Sequence, residues 1–495
     1  MVLIDGGQLS LEDAWRVVAG EEVALSVRAM AKVQQSRDLV EQLIAEGETV
    51  YGVTTGFGHL AQVKVSAQDA AKLQENLVYS HAAGVGPHLS TAAVRGMLLL
   101  RANALAQGRS GVRPVVLERL VAFLNAGLHP LIPSRGSVGA SGDLAPLAHL
   151  AAALLGEGDA EMGGQMAPVS VHLAALGLPP LELVAKEGLA LTNGTQMMAA
   201  LGLIAWHEAR AQLQAAAFTA ALTVQALGGI VSAYDPDLLR ARPHHGALAV
   251  GSEMRRLLAN SRLTSKVGER RVQDAYSLRC IPQVHGAVLD AFRHVEGILL
   301  VEINAATDNP LVFAERGEVI SGGNFHGQPI ALALDYLAIA LAELASISER
   351  RVERLVNPML SGLPAFLSAA PGLNSGLMLA QYTAAALVSE NKTLAHPASV
   401  DSIPTSANQE DFVSMGAWGA LKLESVVANA WRVLAAEAVC ALRAVEMVGK
   451  EGLSEATGPF FAALSAAVPA ESRLLSQQLD ASEAFLRGWF GGNGS

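Results

Sequence analysis

The stretch Gly136-Ser-Val-Gly-Ala-Ser-Gly-Asp143, "GSVGASGD", stands directly before the apolar run "LAPLAHLAAALLG". An ordinary turn needs one or two small or polar residues. Here three glycines and two serines crowd into eight positions, which implies that backbone must come very close to something. A phosphate cradle is one use for such glycines, but GxxxxGK[ST] and GxGxxG are both absent. A Gly-rich turn that caps the next helix through Ser141 or Asp143 is the plain reading. A third reading treats Ala140-Ser141-Gly142 as reactants. The amide nitrogen of Gly142 attacks the carbonyl of Ala140 and closes a five-membered ring, which requires an attacking residue without a Cβ. Loss of water gives an imidazolone, and elimination of the Ser141 hydroxyl leaves an exocyclic methylidene. The product is an electrophile made from backbone alone. A helix N-terminus beside it favours the negative charge that develops when a nucleophile adds.

Around this stretch the chain reads as helical. Of 495 residues, 51% are hydrophobic and only 5% aromatic. At this length the prior is roughly three domains, although a helical enzyme can be one body with two lobes. Ser10 with Asp13, and Ser66 with Asp69, have the spacing of helix N-termini. Pro114 and Gly127 bracket a helix in the same way. Long Ala/Leu-rich segments fill 196–233, 283–305, 328–356, 376–394 and 416–449. The segment "QPIALALDYLAIALAELASISERRVERL" is apolar nearly all round up to Ser346, which predicts a helix buried inside a bundle. Strand-like alternation is scarce, and 311–323 is the best hairpin candidate. The expectation is an all-α fold: a loop-rich, mostly helical N-terminal lobe (1–205) carrying the Ala-Ser-Gly loop, then a long-helix bundle (206–495).

Charge narrows the function classes. The chain has 35 basic and 46 acidic residues, against about 124 charged residues at the usual quarter of positions. Such a deficit predicts surface buried against copies of the same chain. A net charge of −11 argues against binding a phosphate backbone, so no nucleic-acid partner is expected. Cys280 and Cys440 are the only cysteines, too few for a disulfide framework or a thiolate metal site. His244 and His245 are adjacent and point apart in most backbones, so no metal is expected there. The start "MVLIDGGQLSLEDAW" has neither a basic n-region nor a long apolar h-region. The uncharged stretch 211–234 is long enough to span a bilayer, but Gln212, Gln214, Thr219, Thr223 and Gln225 fit a protein core better. No membrane partner is expected, and the reading is a soluble, cytoplasmic protein.

The sequence resembles the ammonia-lyases that carry 4-methylideneimidazole-5-one (MIO), and among them the histidine-specific members. The resemblance rests on "GSVGASGDLAPLAHL" and continues through "YGVTTGFG" (51–58), "LVYSHAAGVG" (77–86), "KEGLALTNGTQ" (186–196), "VQDAYSLRCIPQVHG" (272–286), "DNPLVF" (308–313), "GGNFHGQP" (322–329) and "HPASVDSIPTSANQEDFVSMG" (396–416). These blocks span most of the chain in the family's order. The GSSxMPxKxN loop of the related fumarase and aspartase bundle enzymes is absent.

The resemblance implies conversion of L-histidine to trans-urocanate and ammonia, the first step of histidine degradation, on an MIO formed from Ala140, Ser141 and Gly142. No external cofactor is implied. It also implies a homotetramer whose active sites combine loops from several chains. By resemblance Arg279 clamps the substrate carboxylate, a task suited to a planar bidentate donor. Spacing puts Gln273, Tyr276 and Arg279 on one side if the segment is helical. Asn193 is implied to bond near the carboxylate and the prosthetic group, and Phe325 to line the substrate site. The base that removes the β-proton is Tyr51 or Tyr276, with Tyr51 preferred. Ring choice falls to His81, preceded by Ser80, and to Glu410. A carboxylate pairs with an imidazole N–H and gains nothing from a phenyl ring. Phe412 stands where the family often has His, and Ala275 replaces a frequent Pro. A tyrosine or phenylalanine ammonia-lyase, or a 2,3-aminomutase, is the alternative within the family.

Overall fold

The computed structural model describes residues 1–48, 55, 69–469 and 474–492. Helices dominate because Ala and Leu carry little entropic penalty in a helix and supply an apolar face. The four longest are Gln196–Ala226, Ile281–Glu302, Gln328–Val356 and Gly416–Val448, and Met378–Leu394 is a further expected helix. Each falls where composition placed one. The helix from Gln196 ends short of the expected 233 because Gly228 adopts φ +61° and the N–H groups of Gly228 and Gly229 close back on the last turn.

Capping residues act as their positions suggest. The Ser10 hydroxyl accepts from the Asp13 N–H at 3.0 Å. Pro114 opens the helix Pro114–Ala126, and Gly127 ends it at φ +64°. The helix Ala70–His81 starts just after Asp69, which makes no side-chain cap, and Ser66 lies outside the described residues. Strands are short and local. Leu311–Phe313 pairs antiparallel with Glu318–Ile320, with Leu311 opposite Ile320, so the anticipated hairpin forms. The fold is all-α with small β ribbons.

The chain divides into two compact units. The first comprises Met1–Ile204, Glu296–Asp335 and Pro397–Leu421; the second comprises Ala205–Val295, Tyr336–His396 and Lys422–Ser495. In the second unit Gln212, Thr219, Thr223 and Gln225 each donate a hydrogen bond inside the protein, while Gln214 is exposed. Gln212 donates to the Val427 carbonyl at 2.7 Å, and Gln225 to Thr457 Oγ1 at 2.9 Å. Thr223 donates to Glu437 at 2.8 Å. Glu437 also receives two bonds from Arg351, at 2.6 and 2.9 Å, and both side chains are wholly buried. His285 faces the Arg351 guanidinium at 3.3 Å, and burial next to that cation drives its pKa well below the ordinary value.

One expectation needs correction. The helix Gln328–Val356 is not covered all round: Leu332, Tyr336 and Ile339 are 52%, 45% and 43% exposed. Their spacing of four and three residues puts them on one stripe. The stripe escaped notice because apolar composition alone does not say what covers a face.

Candidate active site

The Ala-Ser-Gly turn is held at the start of the helix Leu144–Leu154, inside the first unit. Gly142 has φ +74° and makes a single parallel bridge with Gly194. The Gly194 N–H donates to the Ser141 carbonyl at 3.2 Å, and the Asp143 N–H donates to the Gly194 carbonyl at 2.6 Å. A Cβ at position 142 would lie 2.0 Å from the Gly194 oxygen, so only glycine fits. On the other side the Met415 N–H donates to the Val138 carbonyl at 2.9 Å, and Ser414 Oγ to the Gly139 carbonyl at 3.1 Å. Ser137 Oγ donates to the Gly142 carbonyl at 3.1 Å. The backbone crowding legible in the sequence is real, and what it approaches is the backbone of Gly194.

Asp143 occupies the N-cap position but makes no side-chain cap. Its carboxylate turns away and accepts from the Met198 N–H at 3.0 Å. Burial pushes its pKa up to about 7; the Met198 and Met197 N–H groups oppose the shift and Glu302 adds to it. Capping by Asp143, the plain reading of this stretch, is thus not what the residue does.

Asn193 ends the short helix Glu187–Thr192 and directly precedes Gly194. Its Nδ2 donates to Asp308 Oδ1 at 3.3 Å and to the Asn309 carbonyl at 3.2 Å. Asp308 Oδ2 accepts from Lys186 Nζ at 2.7 Å, and the pair is completely buried. Arg101, also completely buried, donates to the Asn193 carbonyl at 2.6 Å. Burial lowers the Arg101 pKa to about 10 and lowers that of Lys186, in both cases against the pull of Asp308. Sequence reasoning missed Arg101, Lys186 and Asp308 as site residues. A signal existed: Arg101 interrupts the apolar run "GMLLLRANALA", where a cation needs a buried reason.

Glu410 meets the turn from a third segment. Its Oε1 accepts from Ser141 Oγ at 3.3 Å, and its Oε2 from Thr405 Oγ1 at 2.7 Å. His81, at the end of the helix Ala70–His81, senses the same carboxylate. Burial lowers its pKa, and the Leu77 carbonyl and Glu410 offset this only in part. The neutral ring has Ser80 Oγ at 3.1 Å from Nδ1. Phe325 is half-buried in the loop that precedes the helix Gln328–Val356. Phe412 is 63% exposed and stacks on His326 at 6.2 Å, and its carbonyl lies 3.1 Å from His326 Nε2. The structure therefore brings together Ala140, Ser141, Gly142, Asn193 and Glu410, with His81 electrostatically coupled.

The remaining expected residues are Tyr51, Gln273, Tyr276 and Arg279. Tyr51 lies outside the described residues. Tyr276 and Arg279 belong to the second unit, on the one-turn helix Tyr276–Arg279. Gln273 falls in the bend before that helix, so the expected single helical side is not formed. The Arg279 guanidinium sits 4.7 Å from the centre of the Tyr276 ring. Arg279 Nε is buried without a partner, while Tyr276 is 70% exposed. Gln273 and Arg279 share the wall of a cavity of about 530 Å³. Among the described residues no three His, Cys, Asp or Glu side chains are grouped to hold a metal.

A family model described as aromatic amino acid lyase matches residues 9–466. A histidine ammonia-lyase of Geobacillus thermodenitrificans is 54% identical over 98% of this chain and 97% of its own length. The crystal structure of histidine ammonia-lyase from Trypanosoma cruzi is 41% identical, with a TM-score of 0.92 over 99% of this chain and 94% of that one. Tyrosine aminomutase from Streptomyces globisporus is 40% identical, with a TM-score of 0.95 over 99% and 97%. The class these define is a carbon–nitrogen lyase. The chain belongs to the aromatic amino acid lyase family.

Proposed function

We propose that this protein deaminates L-histidine to trans-urocanate and ammonia in the cytoplasm, using an MIO formed from Ala140-Ser141-Gly142. The observation that carries the choice of histidine is the Glu410 carboxylate, 3.3 Å from Ser141 Oγ and coupled to a neutral His81. A carboxylate and an imidazole acceptor suit a ring with N–H groups and offer a phenyl ring nothing. The relatives named histidine ammonia-lyase at 52–54% identity point the same way.

The residues present fit the prosthetic group. Gly142 has no Cβ, stands at φ +74° and faces Gly194, and the neighbouring Ala140 is small and buried. The MIO would supply an electrophilic methylidene carbon to the substrate amine. The Gly194 N–H, already bonded to the Ser141 carbonyl, stabilises negative charge gathering on that oxygen. Glu410 holds an imidazole N–H of the substrate, and Phe325 lines the pocket. Tyr51 or Tyr276 takes the β-proton, a role suited to a phenolate in a dry pocket. Arg279 and Gln273 bind the carboxylate. The protein works as a homotetramer in which Gln273, Tyr276 and Arg279 complete the site of a neighbouring copy. The unpartnered Arg279 Nε, the exposed Tyr276 and the stripe Leu332, Tyr336, Ile339 support this assembly.

Two measurements test the proposal together. Intact mass should be lower than the sequence mass by two waters, and Ser141→Ala should restore the full mass and abolish turnover. Urocanate should appear from histidine far faster than the corresponding acrylates from tyrosine and phenylalanine. An unmodified mass in active protein would sink the prosthetic group, whereas a preference for tyrosine would sink only the substrate.

A further inference from the structure

The Asn193 carboxamide has a fixed polarity. Its nitrogen faces Asp308 Oδ1 at 3.3 Å and the Asn309 carbonyl at 3.2 Å. A carboxylate and a carbonyl accept hydrogen bonds and cannot donate them. Turning the amide over would set oxygen against oxygen at both contacts, so the NH2 group must stay where it is. Asp308 is itself held at both oxygens. Lys186 Nζ lies 2.7 Å from its Oδ2, the Asn309 N–H donates to its Oδ1 at 2.7 Å, and buried Arg101 adds a second positive charge. The atom left over is Asn193 Oδ1, which is buried and has no hydrogen-bond partner, on a residue 3% exposed. It sits one residue before the glycine that bridges to Gly142.

We propose that Asp308 is a positioning residue that makes Asn193 a hydrogen-bond acceptor, and that Asn193 Oδ1 receives an N–H of the substrate's α-amino group. The inference rests on the lyase reading above. Its basis is which groups of the substrate and the prosthetic ring can donate. A substrate carboxylate has no hydrogen to offer, so Asn193 does not bind it, in contrast to what the family resemblance implies. The ring made from Ala140-Ser141-Gly142 has none either: closure consumes the Gly142 amide hydrogen, and the first loss of water consumes that of Ser141. An imidazole N–H is already matched to Glu410. The amino group remains.

The test is calorimetric binding in the Ser141→Ala protein, where an amine has no electrophile to attack. Histamine carries the amine without the carboxylate, and 3-(imidazol-4-yl)propanoate the carboxylate without the amine. Asn193→Leu removes the acceptor with little change of volume. Asp308→Asn combined with Lys186→Met removes the lock together with the Lys186 charge, and leaves the Arg101 guanidinium its bond to the Asn193 carbonyl. Either variant should weaken histamine by about 10- to 150-fold, the range for one hydrogen bond to a charged group, and move the propanoate by less than about threefold. The second variant keeps the test open should the first fail to fold. Greater weakening of the propanoate would show that Asn193 donates to the carboxylate, and equal weakening of both ligands in folded protein would mean a purely structural role; either result overturns the proposal. Histidine turnover by the unaltered protein, measured first, reports on the lyase reading alone. Were another amino acid preferred, the same two arms would use its amine and its acid.

Discussion

Glu410 accepts hydrogen bonds from the Ser141 and Thr405 hydroxyls, one on each carboxylate oxygen. An imidazole N–H can replace the Ser141 hydroxyl, which the elimination that forms the methylidene would consume. Exchanging this carboxylate for an amide should cost a hydrogen bond to a charged group, about 1.5–3 kcal/mol. Glu410→Gln should therefore lower kcat/KM on histidine by roughly 10- to 150-fold and change any trace activity on phenylalanine far less. Equal losses on both substrates would assign Glu410 to the shared chemistry. Asp143 gives a pH-dependent prediction. Its carboxyl is raised from 3.8 to about 7 chiefly by burial. An acid raised on folding keeps its proton in the folded chain where the unfolded chain has lost it. Its contribution is thus intact below pH ~4 and declines as pH rises toward 7, by on the order of 4 kcal/mol in all. An amide carries no such penalty. The Tm advantage of Asp143→Asn over the parent should widen from pH 5 to pH 8 and then level off; a gap that narrows with pH would contradict the assignment.

At the scale of elements, the Ala-Ser-Gly turn is shaped by two strands of backbone and not by side chains. Gly142 and Gly194 lie so close that a methyl at 142 would overlap the Gly194 carbonyl. Gly142→Ala should leave the helix Leu144–Leu154 formed but push the turn out of register for cyclisation. The expected mass is that of the unmodified chain, with activity lost, while far-ultraviolet circular dichroism stays helical. A variant that still sheds two waters would show that the close approach is dispensable. Much of this element was legible in the sequence. Six small residues before an apolar helix signal a backbone contact, but the partner, Gly194, is 52 positions away in sequence number and carries no local mark. The same limit applies to Asp308. It sits in a quoted block, yet its role depends on Lys186, Asn193 and Arg101, which only folding gathers.

For the whole molecule, the low charge content and the exposed stripe Leu332, Tyr336, Ile339 bear on assembly. Solitary exposed apolar residues are ordinary, but a helical stripe of them marks an interface. If the protein is the proposed homotetramer, placing two carboxylates there, Tyr336→Asp with Ile339→Asp, should shift it in sedimentation velocity from tetramer toward smaller species. If the site is completed by neighbouring copies, lyase activity should fall in step. Retention of a full tetramer would show that this face is not buried between subunits.

Period and composition were enough for the long Ala/Leu-rich helices, because a helix is specified by neighbours three and four residues apart, all written locally. Pro114, Gly127 and Ser10 mark ends for the same reason: capping is chemistry within one turn. The order of motif blocks was enough for the family. Tertiary structure alone decided which polar groups meet. Whether Asp143 caps or turns away, which atom of Asn193 is free, and which face of the helix Gln328–Val356 stays bare depend on contacts between residues far apart in the chain. Such contacts follow from how apolar faces pack, and packing has no period that a linear sequence displays.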